Sequence, residues 1–249
     1  MTHNPLPKMK LAVISDIHAN LEAFDSVLAD IDAAGVDDII CLGDVVGYGP
    51  DPEAVVRRVR ERGIVSVQGN HDRAVCQPEH RSWFNPIART SLEMTAGMLS
   101  ESALAYLSTF KPALVRYGCR FVHGFPPASV SIYLFQVTDS QLRRVFRRIE
   151  ERICFVGHTH ELEMVAWDGE TLSREPLEEG RFTLDPDHRY IINVGSVGQP
   201  RDGVKGAKYV CFDDAAGAID VRFISYDAEI TADKIIRAGL PRIHADRLL

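Results

Sequence analysis

From Lys10 onward the chain alternates short apolar runs with segments whose apolar residues recur at helical spacing. Residues 10–15 form one such run, and Leu21, Phe24, Val27, Leu28 and Ile31 then repeat three or four apart until Gly35 breaks the pattern. That pattern predicts a strand followed by a helix. Residues 38–42 and 64–68 read as further buried strands. Between them, residues 52–62 read as a helix whose proline falls near its start, where a missing N–H costs little. Two short helices are expected within residues 85–110, a strand ending at 121–123, a helix over 140–151 and a buried strand at 153–156. The second half changes style. Residues 163–167 and 171–174 flank Asp168-Gly169, a hairpin signal, and residues 190–194, 209–212 and 219–224 read as more strands. No repeat, low-complexity tract or linker interrupts this order. The expectation is one α/β domain over residues 1–249 with two packed mixed sheets, its motif-bearing core spanning about residues 10–225.

The strand-like runs share a kind of ending: Asp16-Ile17-His18, Gly43-Asp44, Gly69-Asn70-His71-Asp72 and Gly157-His158-Thr159-His160, with a fifth at His123-Gly124. In open α/β sheets the carboxyl ends of strands line the ligand crevice, so these polar tips can meet although they are far apart in sequence. In extended backbone, side chains two apart share a face, which would let Asp16 and His18 act together, and His158 and His160 likewise. Each piece has a plainer reading. Asp-x-His also serves as a turn or cap, and Gly-Asn-His-Asp as a tight turn, since glycine and asparagine tolerate positive φ. The conjunction decides: five of the nine histidines fall at ends of apolar runs beside two aspartates and an asparagine. Imidazole, carboxylate and amide donors without thiolate suit Mn, Fe or Zn, and also Ni.

The ordered series DxH, GD, GNHD, H and GHTH resembles the calcineurin-like metallophosphoesterase superfamily, over about residues 10–225. Residues 15–20 and 193–203 resemble its small bacterial and archaeal branch, which contains phosphodiesterases and phosphatases. The resemblance implies a four-layer α/β-β/α sandwich. It also implies two divalent cations per chain, Mn or Fe foremost and Zn or Ni compatible, held by Asp16, His18 and His160 on one side and by Asn70, His123 and His158 on the other. Asp44 would bridge them through its two oxygens. His71 would stay off the metals and either protonate a leaving alkoxide or hydrogen-bond the phosphoryl oxygens, with Asp72 steadying its ring or merely making a turn. Two cations about 4 Å apart activate a hydroxide for attack on phosphorus and leave the pocket slightly positive. The function expected is hydrolysis of phosphate esters, small phosphodiesters first. A phosphomonoesterase or nucleotide polyphosphate hydrolase is the alternative, and a catalytically inactive protein-binding scaffold is disfavoured because His71 and all seven ligand positions are intact.

Composition narrows the partners. With 28 basic against 35 acidic residues the net charge is -7, so the surface as a whole repels nucleic acid and anionic lipid, and an anionic substrate must be attracted locally. Five scattered cysteines without CxxC spacing fit reduced, buried thiols in a cytoplasmic protein. No apolar run approaches the roughly 20 residues of a membrane helix, and residues 1–9 do not read as a signal peptide. Residues 124–136, with Tyr133, and 196–202, with Arg201, are the expected walls of a substrate pocket shared with Asn70 and His71. The arginines from Arg143 to Arg152 read as a solvated face, and His3, His80, His188 and His244 as surface or structural.

Overall fold

A computed structural model describes residues 9–249, so the expectations for His3 and for the polar first residues lie outside the described part. The first half runs β1 (Lys10–Ile14), α1 (Leu21–Ala34), β2 (Asp38–Cys41), α2 (Pro52–Glu61), β3 (Val65–Ser66), α3 (Asn70–Cys76), α4 (Pro86–Met98), α5 (Glu101–Leu107), β4 (Ala113–Arg116) and β5 (Cys119–Val122). The second runs α6 (Asp139–Arg148), β6 (Ile153–Val156), β7 (Leu162–Trp167), β8 (Leu172–Pro176), β9 (Gly180–Thr183), β10 (Arg189–Val194), β11 (Ala207–Asp213), β12 (Ala218–Ile224), α7 (Ala228–Arg237) and α8 (Ile243–Asp246). No helix among the described residues is long and apolar enough to cross a membrane.

Two six-stranded mixed sheets result, in the orders β3-β2-β1-β11-β12-β9 and β4-β5-β6-β10-β7-β8. The two-residue period of a strand explains how they stack. In β1, Leu11 and Val13 join Ile40, Phe121, Phe155, Ile192 and Phe212 in a core between the sheets. Ala12 and Ile14 face the other way, onto Phe24 and Val27 of α1 and Val55 and Val59 of α2. In β6, Phe155 points between the sheets while Cys154 and Val156 pack with Leu142 and Phe146 of α6. Strands covered on both faces read as continuous apolar runs rather than alternating ones, which is why these were visible in the sequence. The layers are helix, sheet, sheet, helix, as the resemblance implied.

Within each sheet the parallel set carries the motifs. β1, β2 and β3 run parallel in one sheet, and β5, β6 and β10 in the other, so their carboxyl ends open at the same ends of the two sheets. The expected strand at 64–68 shrinks to β3, and several elements were not foreseen: α3, β4, β9, α7 and α8. The C-terminal helices are tied to the body: Lys234 of α7 pairs with Glu22 of α1 and with Asp51, and Ala232, Ile235, Ala245 and Leu248 form a small core reaching Met94 and Met98 of α4. All five cysteines are free; four are buried, whereas Cys76 is only half-buried.

Phe155 has no exposed surface and stacks on Phe121 with ring centroids 5.5 Å apart. Phe155→Ala should therefore lower the unfolding free energy by about 3–5 kcal/mol in urea titration, from lost burial plus the cavity left between rigid sheets. A change below about 1 kcal/mol would mean that this core does not hold the sheets together.

Candidate functional site

The expected ligand residues converge, but the local geometry is not extended. Asp16 (φ 54°), His18 (φ 50°), Asp44 (φ 51°), His158 (φ 69°) and His160 (φ 64°) all have left-handed backbone, as do Ala19 and Tyr48 beside them. Side chains two apart thus meet through tight turns, not through strand alternation. Such conformations cost of order 1–3 kcal/mol each for residues with a Cβ and persist only where the surroundings impose them. The motif glycines let these turns nest. A Cβ at Gly157 would stand 2.0 Å from Ser15 Oγ and 2.7 Å from Asp16 Oδ2, and one at Gly69 would stand 2.0 Å from Asp44 Oδ1.

Main-chain carbonyls fix the imidazoles. Nδ1 of His123 lies 2.9 Å from Leu42 O, that of His160 2.5 Å from Gln199 O, and that of His18 3.3 Å from Val46 O. A carbonyl oxygen only accepts, so each Nδ1 carries the proton and each Nε2 is left to face inward. Those inward nitrogens crowd together: His18 Nε2 is 3.0 Å from His160 Nε2, and His123 Nε2 is 3.1 Å from His158 Nδ1 and 2.9 Å from Asn70 Oδ1. Tyr133 stacks flat on His158, centroids 3.9 Å apart at 15°.

The carboxylates complete two groups. Asp16 Oδ2 accepts from Ser15 Oγ and from the His158 amide, leaving Oδ1 without a hydrogen-bond partner at 3.2 Å from His160 Nε2 and 3.6 Å from His18 Nε2. Asp44 Oδ1 accepts from the His71 amide, while Oδ2 stands 3.8 Å from His18 Nε2 and 3.2 Å from His123 Nε2. The sequence reading expected both Asp44 oxygens to span the groups; one oxygen, Oδ2, faces both. Asp16, His18 and His160 present ligand atoms within 4.8 Å of one another, and so do Asp44, His123 and His158. His71 also falls within that distance of His18 and Asp44, so it adjoins the cluster. It sits in the first turn of α3.

Asp72 does not steady the His71 ring. Its carboxylate accepts the backbone N–H groups of Asp44, Val45, Val46 and Gly69, locking the loop after β2 onto the start of α3. Burial and the nearby Asp44 carboxylate raise its pKa to about 7 against those four donors. Burial lowers His158 to about 3, helped by His123, and lowers His160 to about 4. Burial works against charge on His123 too, yet the Asp44 and Asp16 carboxylates push it up to about 9. Asp16 and Asp44 are held below the usual carboxylate range by the surrounding imidazoles, although burial opposes it.

A domain model described as the calcineurin-like phosphoesterase superfamily matches residues 9–216. The chain belongs to that superfamily. It is accordingly a phosphoric ester hydrolase of a family that uses divalent metals. The phosphoesterase is 36% identical over 247 residues to an uncharacterized protein of Methanocaldococcus jannaschii, covering 97% of this chain and 98% of that one. Among solved structures, it is similar to a metallophosphoesterase from Sphaerobacter thermophilus at 35% identity and a TM-score of 0.84, over 97% of this chain and 98% of the other. A hypothetical protein from Pyrococcus horikoshii shares the fold, with a TM-score of 0.76 at 18% identity over 96% and 97% of the two chains.

Above the cluster lies a cavity of about 280 Å³ that reaches Asp44, Asn70, His71, His158 and His160. Tyr133 and Arg201 line it. The sequence reading missed Tyr48, Trp83, Phe84 and Arg247, which line it too. Tyr48 follows Gly43-Asp44 by four residues in Gly47-Tyr48-Gly49, a run whose turn character was a usable signal; Trp83 and Arg247 carry none. His244, expected to be surface or structural, takes the structural role. It is buried, bonded to Ser91 Oγ at 2.7 Å and packed on Tyr48 at 4.6 Å between centroids.

In metal-free phosphoesterase these shifts set a pH profile. His158 and His160, held below the ordinary 6.5, contribute stability above pH 6.5 that is lost as the pH falls toward about 3 to 4, because the unfolded chain takes up protons first. His123, raised to about 9, contributes stability below pH 6.5 that is lost as the pH rises through 9. Asp72, raised to about 7, contributes stability at acid pH that is lost as the pH rises through 7. One carboxylate offsets only part of the loss from two imidazoles, so urea midpoints after chelation should peak near neutral pH and fall toward pH 4.5. A midpoint that stays level or climbs on acidification contradicts this.

Proposed function

We propose that this chain is a dinuclear metal-dependent phosphoesterase acting on small phosphate esters, phosphodiesters first. Two supports lie in the donor set: inward-facing Nε2 atoms whose Nδ1 protons are spoken for, and the unpartnered buried atoms Asp16 Oδ1 and His158 Nε2. A cluster of imidazole and carboxylate donors is stabilised by a cation, and N/O donors without sulfur fit Mn or Fe, with Zn and Ni also compatible. Asp16, His18 and His160 would hold one ion, Asn70, His123 and His158 the other, and Asp44 both. The single observation that carries the two-ion reading is Asp44 Oδ2, set between His18 and His123. When bound, the ions supply Lewis-acid polarisation of a phosphoryl oxygen and acidification of a water molecule.

The remaining roles belong to the chain. Tyr133 and Arg201 bound the substrate, and Asn70 and His71 face it from the floor of the cavity. His71 is held well below its ordinary pKa by burial, which outweighs the Asp44 charge, and by neighbouring imidazoles. A ring that stays neutral at neutral pH has no spare proton for a leaving group, so its N–H serves as a hydrogen-bond donor to the phosphoryl oxygens. Of the two roles open from sequence, this is the one the electrostatics favour.

Asp44→Asn tests the two-ion reading. Elemental analysis of the wild type after loading should find close to two ions per chain, and the variant should hold less than one and lose activity on a panel of mono- and diesters. Full metal content in the variant removes Asp44 from the shared position.

His71→Ala should retain its ions and fold yet lose about 10²–10³ in turnover, the usual worth of one preorganised donor. The loss should be equal for an ester of an acidic phenol and one of an alkyl alcohol. A loss confined to the alkyl ester would assign proton transfer to His71 instead, and loss of metal would make it a ligand.

A further inference from the structure

The cavity's charge is uneven. Asp44, at its floor, is the one carboxylate among the lining residues, whereas two arginines, Arg201 and Arg247, line it as well. Among the described residues, the side chain of Arg201 hydrogen-bonds only Gln199 Oε1, at 3.2 Å, and that of Arg247 has no hydrogen-bond or ion-pair partner. Two unneutralised guanidinium groups on a chain of net charge -7 call for an anion.

Tyr48 stands between the arginines and part of the cluster. The Tyr48 ring lies against His71 and His18, with centroids 4.4 and 4.5 Å away, and the guanidinium carbon of Arg201 is 5.9 Å from the Tyr48 centroid. Arg201 thus stands against the Tyr48 ring that covers His71 and His18, while its backbone N–H donates to His160 O at 3.1 Å. Arg247 lines the same cavity from just past α8, where His244, three residues earlier, packs on Tyr48 and is pinned by Ser91. His244 registers both cations, since burial and then Arg247, His18 and Arg201 hold its ring down at about 4.

We infer that Arg201 and Arg247 form a second anion subsite, and that the preferred substrate is a phosphate ester whose leaving group carries a further carboxylate or phosphate. The inference rests on the phosphoesterase reading above, because it takes the scissile phosphate to occupy the floor. Guanidinium groups bind either anion through paired N–H donors. The aromatic wall of Tyr48, Trp83, Phe84 and Tyr133 leaves room for a ring between the two charges.

The test compares phenyl phosphate, 4-carboxyphenyl phosphate and 4-phosphonophenyl phosphate, each as monoester and methyl diester, on metal-loaded enzyme. Wild type should prefer the doubly anionic esters about tenfold in kcat/KM, expressed in KM, and the larger gain identifies carboxylate or phosphate as the second anion. Arg247→Ala should bring that ratio to within about twofold of one, and Arg247→Lys should restore part of it. A ratio that does not move in Arg247→Ala overturns the subsite. If no ester is turned over with any metal, the phosphoesterase reading fails by itself. Calorimetric titration with phenylphosphonate and 4-carboxyphenylphosphonate then still decides the subsite: equal affinities in wild type, or a preference that survives Arg247→Ala, refute it.

Discussion

Lone pairs pointed at one another govern this structure. His18 Nε2 and His160 Nε2 lie 3.0 Å apart, and their Nδ1 protons are committed to main-chain carbonyls. Neutral imidazoles in that arrangement repel, and so do the carboxylate oxygens beside them, unless a positive charge stands between. A protonated ring supplies one such charge: against burial, the Asp44 and Asp16 carboxylates push His123 up to about 9 in the metal-free state, while burial pushes His158 and His160 down. One proton cannot satisfy two groups of donors, and the proposed cations would. The left-handed backbone at Asp16, His18, Asp44, His158 and His160 belongs to the same constraint: these turns are held in unfavourable conformations so that their side chains face one point.

Holding them requires both sheets. Asp16, Asp44 and Asn70 follow strands of one sheet, and His123, His158 and His160 follow strands of the other. Cross-sheet bonds lock the halves together. Leu42 O orients His123, Asp16 Oδ2 holds the His158 amide, and Ser196 Oγ donates to Asp16 O. Asp72 makes the corresponding join inside the first sheet, tying three successive amides after β2 to the start of α3. Its four N–H partners explain why a carboxylate is needed at that position, a scaffold role rather than the ring-steadying one that adjacency to His71 suggested.

What the sequence revealed follows the reach of each physical signal. Buried parallel strands are continuous apolar runs, so β1, β2, β6 and β10 and the polar residues beyond them were legible, and the ordered motif blocks supplied the partnership among residues far apart in the chain. The hairpin at Asp168-Gly169 was legible for the same local reason. Short or half-exposed elements were not. β4 and β9 bury few side chains, and α3 begins at a Gly-Asn pair that reads as a turn because those residues favour turns as strongly as helix starts. The left-handed turns left no trace, since Asp and His there look like any extended D-x-H. Arg247 lies outside every motif, and nothing local links it to Tyr48.

That link alters how the C-terminal segment is understood. α7 and α8 follow the last sheet strand and could have been an appendage, but Thr231 and Lys234 bond Asn20 and Glu22 at the start of α1, immediately after the Asp16 and His18 turn. Asn20 in turn bonds Gly198 O in the loop that carries Gln199 and Arg201. The buried helix end therefore braces the turn bearing two candidate ligands, the loop that orients His160 and the ring of Tyr48 through His244. A displacement of α7 or α8 would disturb the floor and the mouth of the cavity together, because both helices contact those residues directly. Electrostatics give the same arrangement a direction. The chain carries a net charge of -7, yet Arg201 and Arg247 line this cavity, so its local field opposes that of the molecule as a whole.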